Sequence, residues 1–273
     1  MSWTATQQIL LARAQALLQP QLVLGAVAAK PVVALNGSVA TVAVAGNVSA
    51  VPYVPGSDMS LNSLGTTSID IDLDQLKAFN FIVDDVHGAQ TNPATLADVI
   101  DKALMKGTYA IAEVVDETIA ALYEHAEELD AGTGLSATTI LTYIAGVRST
   151  LRQAGALMPG SWLVLPDVLE PALLNAMTVL PNPSANAVIS NGLVTTIFGL
   201  DIYISTKLSL GATPADYAFA GCPDAISYVG QIAKLERART EKQFGDLYKA
   251  LFTYGVEITN PDGFFAGTVA LAT

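Results

Sequence analysis

Apolar and polar positions along the chain set out one dominant element. From Asn92 to about Asp130, the apolar residues Leu96, Ile100, Leu104, Ile111, Val115, Ile119 and Leu122 return at spacings of three or four, or sums of them. Asp98, Lys102, Lys106, Glu113, Glu117 and Glu124 stay largely off that stripe, which is the signature of one amphipathic helix. Asn92 can cap the first turn, and Pro93 suits the first helical position because its missing donor costs nothing there. At about 1.5 Å per residue the helix is on the order of 55 Å long, so it must lie as a spine across several elements. Gly107 in its middle predicts a kink or a close backbone contact. A coiled-coil strand is the alternative, but no sustained seven-residue repeat supports it.

The flanking chain reads differently. Residues 3–18 carry Ile9, Leu10, Ala14 and Leu17 at helical spacing, and that helix should end before Pro20. A loosely patterned arm rich in Ala, Val and Gly follows. Strand patterns occupy Val39 to Ala45 and Val48 to Val54, up to a break at Pro55-Gly56-Ser57-Asp58. In Ser68 to Asp74, Ile69, Ile71 and Leu73 take one face while Asp70, Asp72 and Asp74 take the other. A calcium site is one reading of those carboxylates, but strict alternation makes them a solvated strand face. Lys77 to Val83 continues with Phe79, Phe81 and Val83 aligned. The stretch 39–83 is therefore a long β excursion with little core of its own, stable only if something packs on it.

Beyond the spine, Gly132-Thr133-Gly134 breaks the chain, and Ser136 to Ala154 forms a second amphipathic helix on Ile140, Ile144, Val147 and Leu151. Trp162 to Leu165 is a short buried strand, and Pro166-Asp167 opens a helix through Met177. Pro181 to Asn186 is a loop. Gly192 to Ser205 forms strands around Gly199, with further short strands at Tyr217 to Ala220 and Ala225 to Val229. The cluster Lys234 to Lys242, interleaved with Glu236 and Glu241, reads as a solvated helix face. Gly245 to Gly255 is rich in aromatic residues. Helices and strands do not alternate as βαβ units, so the fold class is α+β, without Rossmann or TIM architecture.

Composition changes the picture in two ways. Charged residues are only 14% of the 273 and hydrophobic residues are 51%, against about 25% charged in an ordinary soluble domain. No stretch is long and apolar enough to span a bilayer, and no secretory signal opens the chain. The surplus apolar surface is therefore hidden against other subunits. A net charge of −12 argues against tight binding to nucleic-acid phosphates. The single Cys222 allows no internal disulfide.

Candidate chemistry is sparse. Asp84, Asp85 and His87 gather acid and imidazole groups at one corner. They could ligate a divalent ion or act as a general base in a hydrolase or isomerase, but no second cluster completes a shell, so a polar corner is the favoured reading. GxGxxG, GK[ST], GxSxG and HExxH motifs are absent, and no cofactor is expected.

Several strings, taken in order, resemble tailed-phage major capsid proteins of the Hong Kong 97 type. They are Phe81-Ile-Val-Asp-Asp-Val-His-Gly-Ala-Gln90 before the spine, Trp162-Leu-Val-Leu-Pro166, Gly192 to Ser205, Ala225 to Ile232, and Leu251-Phe-Thr-Tyr-Gly255 followed by Pro261. The resemblance implies an N-terminal arm at 1–38 and an extended loop at 39–83. It implies a peripheral domain at 84–134 and 223–273 with its spine helix at 92–130, and an axial domain at 135–222. The implied function is that of a coat subunit, closing as pentamers and hexamers into the icosahedral head shell of a tailed phage. Such a shell is built in the host bacterial cytoplasm and encloses double-stranded DNA without specific binding. The arm and loop would then carry subunit contacts, assigned by segment to Leu17, Leu22, Val51, Tyr53, Val54, Met59, Leu61 and Leu64. An encapsulin-like shell around cargo enzymes shares this fold and is the alternative. With the spine beginning near residue 92, no long scaffolding segment fits before it, so a separate scaffolding protein is expected beside a portal and a decoration protein. No motif assigns an isopeptide crosslink, and none is expected.

Overall fold

The structure, a computed structural model, describes residues 23–30, 34–36, 38–45, 50–51, 55–56, 58, 66–85, 93–179, 193–208, 216–241 and 244–272. The expected helix at 3–18, the cap Asn92, the loop Pro181 to Asn186, His87, and the contact residues Leu17, Leu22, Tyr53, Val54, Met59, Leu61 and Leu64 lie outside these. Val51 is described and half-buried.

The chain enters with a one-turn helix, α1 (Leu24–Val27), and then a small antiparallel sheet of β1 (Ala34–Asn36), β2 (Val39–Ala45) and β3 (Thr66–Asp72). The alternation in β3 holds: Ile71 and Leu73 are buried, while Asp70, Asp72 and Asp74 face solvent. The Thr41 hydroxyl donates to Asp70 Oδ1 at 2.7 Å across the β2–β3 pair. The calcium alternative loses its geometry, because these carboxylates are spread along a wet strand face. Among the described residues Ala40, Ile71 and Leu73 form the sheet's own buried cluster, with Val42 and Val229 packed on it.

The β excursion ends sooner than the expected 83. β4 (Gln75–Asp84) leaves it and becomes the third strand of a long sheet with β11 (Ile226–Arg239) and β12 (Gly245–Ile258). β12 lies in the middle, antiparallel to both partners, and each 14-residue strand runs about 45 Å. The helix face expected at Lys234 to Lys242 is instead the far half of β11. A register shift between Ile232 and Lys234 places buried Ile232 and Leu235 three apart, so the bulge disguises a strand with helical spacing. Antiparallel pairing sets Glu236 opposite Lys249, which is where its charges find partners.

The spine is α2 (Pro93–Ala120), about 42 Å long, followed by a 3₁₀ turn over Ala121–His125. It stops short of the expected 130 because β5 (Glu127–Glu128) turns away to pair with β13 (Phe264–Leu271). Leu104, Ile111, Ala112, Val115 and Ile119 are buried, as the stripe requires. At Gly107 an added Cβ would collide with the Phe79 ring of β4, so that glycine marks a close approach of spine to sheet. Thr118 and Tyr254 share a 2.9 Å hydroxyl hydrogen bond that ties the helix to β12.

The second lobe is a seven-stranded sheet in the order β5-β13-β10-β7-β9-β8, with β6 (Gly132–Leu135) pairing beside β5 on β13. Its other strands are β7 (Trp162–Pro166), β8 (Leu193–Ile197), β9 (Leu200–Ser205) and β10 (Asp216–Gly221). Helices α3 (Ile140–Gln153) and α4 (Glu170–Val179) cover it. α3 buries Ile140, Ile144, Val147 and Leu151, the four positions its period predicts. The divisions drawn at 134/135 and 222/223 cut through this sheet, since β5, β6 and β13 complete it. One continuous apolar core runs from the spine (Val115, Ile119) through Phe252 and Tyr254 to Trp162, Phe219 and Phe264.

Candidate functional site

Two of the three residues of the expected corner are described. Asp85 is ion-paired with Arg239, Asp84 sits opposite Gly245 in the β4–β12 ladder, and His87 lies outside the described residues. Among the described residues no cluster of three or more His, Cys, Asp or Glu could hold a metal, and no helix is long and apolar enough to cross a membrane. Cys222 is fully buried, its thiol pKa pushed up by burial, with Asn260 donating to its sulfur at 3.7 Å. Such a thiol is inert.

The arrangement that does form joins appendages to a body. Asp116 of the spine is 5% exposed. Its carboxylate accepts the backbone N–H of Val23 (Oδ2) and Gly25 (Oδ1), each at 3.0 Å, satisfying donors that α1 leaves free at its start. Burial pushes its pKa up, opposed by the backbone donors Val23, Gly25 and Leu24 and by the Lys207 charge. Four residues on, the arm is fixed again: Ala29 N–H donates to Ile226 O at 2.8 Å, and Tyr228 N–H donates to Ala29 O at 2.9 Å. Beside the first anchor, Lys207 follows β9 and reaches Glu117 at 2.8 Å and Glu113 at 3.0 Å on the spine. Hydrogen bonds to these carboxylates raise the lysine pKa. Arm, spine and second lobe thus meet at one charged joint. No sequence pattern marked Asp116, because its partners are backbone groups some 90 residues away.

Two close contacts fix the small sheet at its base. Leu73 N–H donates to Ser38 O at 2.8 Å, and Gly255 of β12 lies so close that an added Cβ would collide with Asp72 O. The long sheet beyond it turns an uncovered face outward, with Leu76 (62% exposed), Ile82 and Leu251 on it. Lys234, Glu236 and Lys249 form an ion cluster on that same face, and the two lysines hold the Glu236 pKa down to about 2. At the β11–β12 end, Phe244 is 81% exposed. The other face at that end stacks Phe81 on Tyr248 at 5.1 Å, with Arg237 over the Tyr248 ring and paired with Asp246.

A long helix laid over a long sheet, a second lobe sharing its core, and an arm and a small sheet each anchored on that body define a shell-building subunit. Comparison with known proteins agrees. The sequence model of a family described as phage capsid protein matches residues 89–267. The chain belongs to the phage capsid protein family. Solved structures share its fold: one from Mycobacterium phage Che8 is 23% identical, with 85% of each chain covered and a TM-score of 0.62. The capsid structure of the cyanophage P-SCSP1u is 16% identical over 88% of this chain and 85% of that one, with a TM-score of 0.60. A virus-like particle from Pyrococcus furiosus is 10% identical over 96% of this chain and 99% of that one, with a TM-score of 0.57. At these identities the likenesses show the fold, which is the Hong Kong 97-type coat fold. No curated protein sequence matches the chain. The protein is a phage major capsid protein, structural in character, that assembles with copies of itself into a shell.

Proposed function

We propose that the chain builds the icosahedral head of a tailed phage, in which hexamers and pentamers close around double-stranded DNA. The residues that meet neighbouring copies are the arm before Val23, the small sheet with the loop it carries, and the outward face of the long sheet. The observation that carries this reading is the small sheet, whose buried cluster among the described residues is Ala40, Ile71 and Leu73, too small a core to do without a surface supplied by another subunit. An acidic chain of net charge −12 holds a genome by enclosure, since a wall without clustered cations does not bind phosphates tightly. Within this reading the arm and the loop keep the contact roles assigned to Leu17, Leu22, Val51, Tyr53, Val54, Met59, Leu61 and Leu64. Scaffolding, portal and decoration proteins are the further partners it calls for, and the head shell, put together in the host bacterial cytoplasm, is its location.

The likeness to a virus-like particle supports one second reading, a shell around cargo other than DNA. Particles purified from infected cells decide between them. Nuclease-protected double-stranded DNA inside the shells supports the phage head, and nucleic-acid-free shells holding enzymes overturn it in favour of the compartment.

A further inference from the structure

The second lobe carries an exposed aromatic at one edge and a groove at the other. β8 and β9 are joined by Phe198 and Gly199, both with positive φ, 53° and 79°. A two-residue turn of this kind favours Asn-Gly or Asp-Gly, and a bulky aromatic there is an outlier. Phe198 is 47% exposed at the tip, so the described residues leave a strained ring about half in solvent.

On the opposite edge, Leu129 and Asp130 beside β5 and β6 face Thr139, Thr142, Tyr143, Gly146 and Val147 of α3 and its first turn, leaving a groove of about 310 Å³. Gly146 keeps it open, since a Cβ added there meets nothing within 4 Å. The Tyr143 hydroxyl is buried and has no hydrogen-bond partner among the described residues, a state that costs free energy until an acceptor arrives. The strand order puts hairpin and groove at the two ends of a path of six strands, roughly 24 Å apart.

We infer that Phe198 of one subunit seats in the Leu129–Tyr143–Gly146–Val147 groove of the next copy around a capsomer, with a main-chain carbonyl of the hairpin tip accepting from Tyr143. This rests on the coat reading above and names a contact within it. The occupant is a second copy because knob and groove lie on opposite edges of one sheet. Such a contact is heterologous, and it repeats head to tail until the ring closes. A phenylalanine ring brings on the order of 150–250 Å² of buriable surface to the groove, and the acceptor it carries answers the one polar atom stranded there.

A cysteine pair tests this in the full-length chain. Phe198→Cys and Gly146→Cys are combined, particles are assembled under reducing conditions, and the thiols are then oxidised with copper–phenanthroline. Buried Cys222 stays out of reach. The expected result is a ladder on a denaturing gel that ends in closed covalent rings, with each single variant remaining monomeric. Particles whose double variant stays monomeric overturn the contact and leave the coat reading standing. A ladder from Phe198→Cys alone overturns it too, because it would bring two knobs together. Failure of the unsubstituted chain to form capsomers or particles overturns the coat reading itself, and the contact with it. As a second arm, Gly146→Phe fills the groove from within. Its circular dichroism and melting should match the parent while capsomer yield falls about tenfold or more; full yield from a folded Gly146→Phe chain overturns the contact.

Discussion

The small sheet and the seven-stranded sheet are stabilised in opposite ways. The seven-stranded sheet is covered by helices and shares one core with the spine, including Trp162, Phe219, Phe252 and Phe264. The small sheet has strands of 3, 7 and 7 residues and a buried cluster of Ala40, Ile71 and Leu73. Among the described residues that cluster is a small core for three strands, and Val229 and Gly255 of the long sheet pack against it. The lesson is that one sheet makes the subunit fold, and the other makes it need neighbours.

That contrast is broken most severely from the body side. Phe252→Ala, at a fully buried position, should cost about 3–5 kcal/mol and lower the cooperative denaturant midpoint of the whole chain. Ile71→Ala in the small sheet should cost about 2 kcal/mol, the low end for a buried aliphatic side chain, leave the body's melting cooperative, and still impair assembly. Equal losses in the two variants would show that the sheets form one folding unit.

Deleting residues 54–64 leaves every residue of the described core in place. The expected outcome is a folded, monodisperse subunit by circular dichroism and light scattering that makes no shells; normal particles would refute the loop's role.

The arm's anchor is weaker. Asp116→Ala strands two backbone donors and should loosen the arm by about 1–3 kcal/mol, read as faster limited proteolysis within 23–30. Its pH dependence has a definite sign. Burial raises the folded-state pKa of Asp116 above its ordinary 3.8, so the folded chain keeps this proton longer than the unfolded one. Stability from this group is greatest below 3.8 and falls as pH rises through the raised value. Asp116→Ala should remove that slope from a melting series.

Glu236 gives the smallest effect and the opposite sign. Its pKa is depressed from 4.5 to about 2 by Lys234 and Lys249, so its contribution is present above 4.5 and lost as pH falls toward 2. Glu236→Gln should melt as the parent does at pH 2 and fall slightly below it near neutrality, with the gap shrinking in high salt.

Much of this molecule was legible in the residues. The periods of Leu104 to Ile119 and of Ile140 to Leu151 marked both helices' buried faces, and the alternation of Ile71 against Asp72 fixed the small sheet's orientation. What stayed hidden depended on distant partners. The bulge at 233 made β11 look helical until β12 supplied the opposing charges. β5 could not be separated from the spine because its pairing to β13 spans some 140 residues. The arm's anchor was invisible for the same reason: Asp116 reads as one more polar position on a helix, and only the fold brings Val23 and Gly25 to it. The hairpin at Phe198 and Gly199 was placed by its glycine, but the groove it faces away from required the strand order.

The central claim is that this chain folds alone and assembles through surfaces it leaves uncovered. Light scattering with negative-stain microscopy on the purified chain, alone and with co-expressed neighbours, tests it most directly. The account predicts rings or hollow polyhedral particles, which boiling in detergent returns to monomers of 28.4 kDa. A compact monomer that forms no particle in any of these preparations would contradict it.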